Sequence, residues 1–528
     1  MSSPSETVAR IFQQAFALHR AGRLAEAEIL YRRVLALDPR HADSLNYLGV
    51  AAAQSGRAEA AVELIARAVK LKPDAADYHD NLGLALAALG RFDEAAERHR
   101  KALRLNPNHA NAHSHYGNTL IRRGRNDDAA AQYRAALRID PNHVEAHNNL
   151  GVVLTAAERP DEAAIHFRTA LRLQPAYLDA YANLGGALRN LGQVEEADAV
   201  FETGLRLAPA SPALRYNLAG IRLLAGRFET GWPLYEARHA LPGAPPPRFT
   251  APPWRGEALA GRTLLLYAEQ GAGDTILACR YISRFAPGTR LLLEVPAALR
   301  CLLSRVGPVD QVLTRGDPLP PFDCHCPLMS LPLAFGTTVD SIPGETPYLD
   351  ADPDAVAVWR QRLAALPGRR VGLAWAGNPD YADDRRRSIP PELLAPLGII
   401  KGVSFVSLQK QDAVSSAGQT ALPPVPLADW SGEFDDFADT AALIAALDLV
   451  IGVDTAVLHL AGALGRPAWL LNRFDPHFLW LQARDDSPWY PTLRQFRQTA
   501  PGDWPAVIAR VAAALTDPQT WRAQAALC

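Results

Sequence analysis

The sequence predicts two architectures in one chain: an N-terminal all-α superhelix of repeated helix pairs, followed by a pair of Rossmann-type α/β lobes. Three observations carry this expectation. Marker residues recur every 34 positions through the first half of the 528 residues. A proline-dense stretch after residue 241 ends that periodicity. Beyond it, short apolar runs rich in strand formers alternate with helix-like segments, the pattern of sheets built from crossover units.

Prolines stand at Pro39, Pro73, Pro107, Pro141, Pro175 and Pro209, 34 residues apart each time. Three other series share the spacing: Gly49, Gly83, Gly117, Gly151, Gly185 and Ala219; Gly22, Gly56, Gly90, Gly124, Glu158, Gly192 and Gly226; Ala27, Ala61, Ala95, Ala129, Ala163 and Ala197. Each marker has a physical task. The first small residue lets the first helix of a pair approach the second. The next glycine turns the chain tightly where the first helix ends. The alanine sits at the closest crossing, and a large residue four positions on (Tyr31, Tyr133, Phe167, Phe201, Tyr235) fills the groove. Proline stops the second helix. This register is that of the tetratricopeptide repeat (TPR). Six full repeats run from about residue 7 to 209. A seventh, less regular unit at about 211–241 has Gly231 in place of alanine and carries Trp232 and Pro233, as expected of a terminal unit that caps or docks the array. Residues 1–241 form the predicted array.

Two residues before the first series stand Tyr47, Asn81, His115, Asn149, Asn183 and Asn217. The first helix of each pair lines the concave face of such arrays. Asn81, Asn149, Asn183 and Asn217 are therefore candidate contacts to the backbone of a bound polypeptide, since a carboxamide both donates and accepts. The run resembles the asparagine ladder of the O-GlcNAc transferase repeats, with Tyr47 and His115 as departures. The structural alternative is that asparagine serves helix packing here.

From Leu241 to Pro253 the sequence reads LPGAPPPRFTAPP, too proline-dense for helix or sheet interior, and 242–261 is expected to be a stiff linker. Strands are predicted at Thr263–Ala268, Arg290–Val295, Arg370–Trp375, Ser404–Leu408, Leu447–Val453 and Ala468–Leu471. A poorly periodic, proline-rich stretch at 316–353 divides this half into lobes 262–350 and 351–528, which is the two-lobed GT-B plan with its ligand crevice between the lobes.

Bulk properties exclude other classes. A net charge of −2 provides no field to recruit nucleic acid or anionic lipid. Five cysteines (Cys279, Cys301, Cys324, Cys326, Cys528) are too few and odd in number for a disulfide framework, and point to a reducing compartment. The opening MSSPSETVARIFQQ lacks the basic and apolar regions of a signal peptide, and no run reaches membrane-spanning length, so the expected location is cytoplasmic.

Four segments carry the candidate chemistry. In YAEQGAGDTILACRYI (267–282) a strand leads through Gly271-Ala272-Gly273 to Asp274 at the start of a helix; Ile276 stands where a dinucleotide fingerprint needs glycine. In LDLVIGVDTAVLHLAGALGRPAWLL (447–471) a buried strand ends before Asp454-Thr455, which open a helix with His459 one turn on. The free amides of that helix start make a ready anion site. Either aspartate could be only a helix cap. AWAGNPDYADDRRRSIP (374–390) offers Asn378 and the arginines 385–387, whose forks suit diphosphate, or else a solvated surface run. SLQK (407–410) places Gln409 and Lys410 at a strand end. Cys324-His325-Cys326 has metal-type residues but no second cluster to complete a site. Trp489 and Tyr490 read as packing or a surface lid.

In this order the segments resemble the heptosyltransferases of glycosyltransferase family 9 and their TPR-fused bacterial relatives, over about residues 262–500. GVDTAVLHLAGALGRP resembles their nucleotide-diphosphate signature and QGAGDTI their acceptor-side loop. The resemblance implies a metal-independent, inverting glycosyltransferase without cofactor, its nucleotide-sugar donor bound between the lobes. It makes Asp274 the general base. It assigns Gly273, Asn378, Arg387, Gln409, Lys410, Asp454, Thr455 and His459 to the nucleotide sugar and its diphosphate. Ala456 departs from the glycine usual after Asp-Thr, and Arg387 stands where a lysine is usual. The expected acceptor is a protein recruited by the repeats, flagellin being one kind. The alternatives are a lipopolysaccharide or polysaccharide acceptor with the repeats as an assembly module, or a scaffold whose transferase half has lost activity.

Overall fold

The structure is a computed structural model and describes residues 4–381, 384–410 and 422–525; Cys528 lies outside them. Contacts divide the chain into two compact units, residues 1–191 with 206–208, and residues 192–205 with 209–528.

In the first unit the predicted pairs appear as antiparallel helices, beginning with Pro4–Arg20 and Leu24–Leu37 and repeating through Leu178–Asn190. The glycine turns adopt the left-handed conformation the periodicity demands, with φ of 73°, 76°, 74° and 71° at Gly22, Gly56, Gly90 and Gly124. Glu158 takes the same turn at φ 59°. The other small residue is needed for approach: a Cβ at Gly49, Gly83, Gly117 or Gly151 would lie 2.5–2.6 Å from Ile65, His99, Tyr133 or Phe167 respectively.

Polar side chains stitch the pairs together at the same period. His79, His113, His147 and Tyr181 bond the carbonyls of Pro73, Pro107, Pro141 and Pro175 at 2.9, 3.1, 3.0 and 3.0 Å, satisfying backbone acceptors just past each helix end. The ladder amides are used between repeats: Asn81 donates to Asn46 at 3.1 Å, Asn149 to Asn118 at 2.9 Å and Asn183 to Asn148 at 2.9 Å. His99 stands where other repeats have a large apolar residue, and its Nδ1 lies 2.8 Å from buried Asp80, whose second oxygen is 2.8 Å from His115 Nδ1.

The second unit contains two parallel sheets. The first has the order β3-β2-β1-β4, from β1 (Thr263–Tyr267), β2 (Arg290–Val295), β3 (Gln311–Thr314) and β4 (Cys324–Pro327). The second has the order β10-β9-β8-β5-β6-β7, from β5 (Arg369–Ala374), β6 (Val403–Ser407), β7 (Leu427–Ala428), β8 (Leu449–Val453), β9 (Ala468–Asn472) and β10 (Leu493–Arg497). Every strand pairing in both sheets is parallel. All six predicted strands are present. β3, β4, β7 and β10 are additional, and β4 is the Cys324-His325-Cys326 segment inside the proline-rich divide. Each sheet reverses its strand order once, between β1 and β4 and between β5 and β8. α/β folds gather ligands at the carboxyl ends of strands beside such a reversal.

The same unit includes the last helix pair, Pro212–Leu224 and Phe228–Tyr235. Trp232 and Tyr235 meet the Phe478 ring edge-on at 5.9 and 5.4 Å, and Gln482 N–H donates to the Leu224 carbonyl at 3.2 Å. Segment 242–261 is fixed to the first sheet. Arg248 forms a bidentate pair with the buried carboxylate of Glu294 at 2.7 and 2.8 Å, and Trp254 N–H donates to His325 at 2.8 Å. Among the described residues no helix is long and apolar enough to cross a membrane.

Candidate functional site

A cavity of about 730 Å³ lies between the carboxyl ends of the two sheets. Gly273, Asp274, Asn378, Arg387, Gln409, Lys410, Asp454, Thr455 and His459 all line it. They come from four strand ends far apart in sequence, after β1, β5, β6 and β8, brought together by the two topological reversals.

The lobes touch at the site itself. The helix Ala272–Ala278, after β1, packs against the helix Ala456–Ala463, after β8. Gly273 makes this possible, because a Cβ there would lie 2.8 Å from His459 Cδ2 and 3.5 Å from Ala456 Cα. Asp274 is the third residue of its helix and accepts from Gly271 N–H at 3.2 Å, so it closes the turn while its side chain borders the cavity.

Across from it, Thr455 is the N-cap of the second helix, yet no side chain caps that helix, and the buried Thr455 Oγ1 has no hydrogen-bond partner among the described residues. A buried orphan hydroxyl beside open helix amides is the arrangement an anion completes. His459, one turn on, is 4 % exposed. Its ring stacks on Trp480 at 5.1 Å, its Nδ1 is 2.9 Å from the Tyr490 hydroxyl, and its Nε2 faces Asp454 at 3.8 Å. Burial disfavours the charged form of Asp454, but the facing His459 and the nearby His477 outweigh it and hold the carboxyl well below the usual range. Asp454 is therefore ionised at neutral pH.

The loop after β5 is shaped around Arg387. Its Nε donates to Asp384 at 2.8 Å and its Nη1 to the Asp454 carbonyl at 3.0 Å. Gly377 leaves the room, since a Cβ there would overlap both Asp384 and Arg387. Gln409 accepts from Ala376 N–H at 2.9 Å, and Lys410 Nζ donates to the Phe434 carbonyl at 3.0 Å. Gln409 thus also braces the Asn378 loop. Asn378 itself closes a turn by accepting from Asp380 N–H at 3.0 Å.

Other cavity residues lie outside the sequence motifs. His477 and Arg473 follow β9, and burial lowers the His477 pKa against the pull of Asp454 and Asp274, so its imidazole is neutral at pH 7. Tyr216 and Tyr235 come from the last helix pair. Glu269, just before the Gln270 wall, is pushed up by burial although Arg238 at 3.0 Å opposes the shift. No motif marks His477 or Arg473, and Tyr216 and Tyr235 occupy repeat positions whose place on the cavity comes only from the fold. Trp489 and Tyr490, fully buried, pack rather than form a lid. Among the described residues no group of three or more His, Cys, Asp or Glu is arranged to hold a metal ion.

Residues 12–76, 81–143 and 117–177 match the tetratricopeptide-repeat family, and 178–211 match a second model of the same repeat. Residues 12–211 are a TPR array. Residues 435–471, which span the β8 strand, its Asp454–His459 turn and all but the last residue of β9, match glycosyltransferase family 9 (heptosyltransferase). Protein FlbA of Caulobacter vibrioides is 31% identical over 322 residues, 56% of this chain and 53% of FlbA. The chain therefore spans about half the length of that curated relative. Among solved structures, MamA is 25% identical over 30% of this chain and 94% of its own, with a TM-score of 0.27. Pseudomonas aeruginosa pilF is 18% identical over 40% and 97%, with a TM-score of 0.37. The protein joins a TPR array to a glycosyltransferase-like α/β region.

Proposed function

We propose that this TPR protein is a cytoplasmic glycosyltransferase that moves a sugar from a nucleotide-diphosphate donor to a hydroxyl of a protein acceptor, with inversion and without a metal. The observation that carries this reading is the packing of Gly273 on His459, which sets the two aspartate-led turns on one cavity. Thr455 Oγ1, the open amides of Ala456 and Val457, and the cations Arg387 and Lys410 bind the donor diphosphate. Asp274 takes the proton from the acceptor hydroxyl as that oxygen attacks the anomeric carbon. The bond from that carbon to the diphosphate oxygen breaks, and the departing charge falls on donors already in place. Arg387 and Lys410 take the part a divalent cation plays elsewhere. Attack opposite the leaving group inverts the anomeric centre.

The test is calorimetric titration of the full chain with ADP, UDP, GDP and CDP in the presence of EDTA. One nucleoside diphosphate binds, and Asp454→Ala and Thr455→Val weaken it. Absence of binding by any of the four defeats the reading. With the nucleotide known, Asp274→Asn abolishes transfer and leaves affinity for the nucleotide intact.

A further inference from the structure

The cavity wall includes two residues that belong to neither lobe. Tyr216 lies on helix Pro212–Leu224 and Tyr235 ends helix Phe228–Tyr235, both in the last TPR unit. We propose that Tyr216 and Tyr235, which line the same cavity as Gln270 and Asp274, form a polypeptide-binding subsite that holds the acceptor segment against Asp274. This inference rests on the glycosyltransferase reading above and adds to it where the acceptor lies and which chemistry it has.

The repeat register supplies the first argument. Position 216 continues the series Asn46, Asp80, Ser114, Asn148 and Ala182. Its polar members are all buried, and three of them receive a side chain from the following stretch of polypeptide: Asn46 from Asn81, Asp80 from His115, Asn148 from Asn183. This place in the repeat therefore meets the next polypeptide segment. After residue 241 the register stops. At its last occurrence the place holds a tyrosine that is half-buried and borders the cavity. A wall shaped to receive polypeptide faces the space in which a hydroxyl is to be glycosylated.

Rigidity supplies the second. The Tyr216 and Tyr235 rings lie 5.6 Å apart at 31°. Tyr235 is fixed from behind by Trp232 and Phe478, both edge-on, and by the Arg238 guanidinium 4.6 Å from its ring centre. Arg238 is itself buried, bonded to Glu236 at 2.5 Å, Glu269 at 3.0 Å and Ser330 at 2.7 Å. The pair is thus pre-set, and an apolar stem or peptide plane stacks on it without the ordering cost of a mobile loop. Burial, reinforced by the charges of Asp274 and Glu269, keeps the Tyr235 hydroxyl protonated and so a donor.

The experiment uses the full chain with the nucleotide sugar selected by the binding panel. Acceptors are a pool of short synthetic peptides each centred on serine, threonine or tyrosine and, in a parallel arm, a core lipo-oligosaccharide. Nucleoside diphosphate affinity, donor hydrolysis and transfer are measured for the unmodified protein, Tyr216→Ala and Tyr216→Phe. Transfer to peptides is expected, with KM for the pool raised about tenfold in Tyr216→Ala, a loss of about 1.4 kcal/mol of acceptor binding. Tyr216→Phe retains most of the affinity, and nucleotide affinity and donor hydrolysis stay unchanged in both. An unchanged peptide KM in Tyr216→Ala overturns the proposal. Transfer only to the oligosaccharide, or donor hydrolysis with no peptide labelled, overturns it as well. Failure of the unmodified protein to bind any nucleotide strikes the glycosyltransferase reading instead.

Discussion

His459 and Tyr490 form a buried pair, with Nδ1 2.9 Å from the phenol oxygen and both rings in contact with Trp480. Tyr490 is also held by Arg280, whose guanidinium lies 4.7 Å from its ring centre and donates to the Trp489 carbonyl at 2.5 Å. Burial keeps the phenol protonated, so it is the donor when Nδ1 is the bare nitrogen. The ring then carries its proton on Nε2, the atom facing Asp454 and the cavity. One residue far along the chain thus orients the histidine at the helix start. Tyr490→Phe is expected to keep the fold and weaken nucleoside diphosphate binding about fivefold to tenfold, the worth of one buried hydrogen bond at roughly 1 kcal/mol. Calorimetry measures the loss. Equal affinities for the two proteins remove Tyr490 from the site.

Gly273 is the point where the lobes meet. The His459 ring facing it is wedged between Trp480 and Tyr490 and has nowhere to retreat. Gly273→Ala must therefore push the two turns apart. Displacing reacting groups by about 1 Å costs on the order of a hundredfold in rate. Transfer assays on the alanine variant are expected to show a loss of that size, with helical circular dichroism from the repeats unchanged.

How much of this was legible in the sequence follows from what sequence records. The repeats were legible to the residue, because each marker answers a local demand: a φ of 76° at Gly56 or a close approach at Gly117. The aspartate-led turns were legible as strand-turn-helix units. Their shared cavity was not, since it depends on strand order, and the reversals between β1 and β4 and between β5 and β8 leave no local trace. β4 escaped because Cys324–Pro327 is only four residues long, ends in proline and holds no β-branched residue. Tyr235 reads as an ordinary groove-filling repeat position and Tyr216 is no marker of the repeat, and only the fold brings them to the cavity.

His477 gives a pH prediction. Its folded pKa is depressed by burial and its unfolded value is about 6.5. Below about 6.5 the unfolded chain binds a proton that the folded site resists, so folding stability falls as pH drops from there toward the depressed value. His477→Gln is expected to flatten that part of the profile relative to the unmodified protein. Denaturant titrations at pH 5.5 to 7.5 compare the two. Identical slopes would show that the imidazole titrates freely.

Glu158 gives the sharpest stability prediction because its repeat breaks a local rule the others obey. Six glycines in the same place, from Gly22 to Gly226, have φ between 71° and 76°, whereas Glu158 holds φ 59° with a Cβ that crowds its own backbone. The left-handed region costs a non-glycine residue roughly 1–2 kcal/mol. Glycine recovers that, less the extra entropy it lends the unfolded chain. Glu158 is exposed, so replacing it disturbs no core packing. Glu158→Gly is therefore expected to stabilise the array by about 1 kcal/mol, seen as a higher denaturant midpoint with unchanged slope. Glu158→Ala keeps the Cβ and should give no such gain, which separates the backbone effect from any role of the carboxylate.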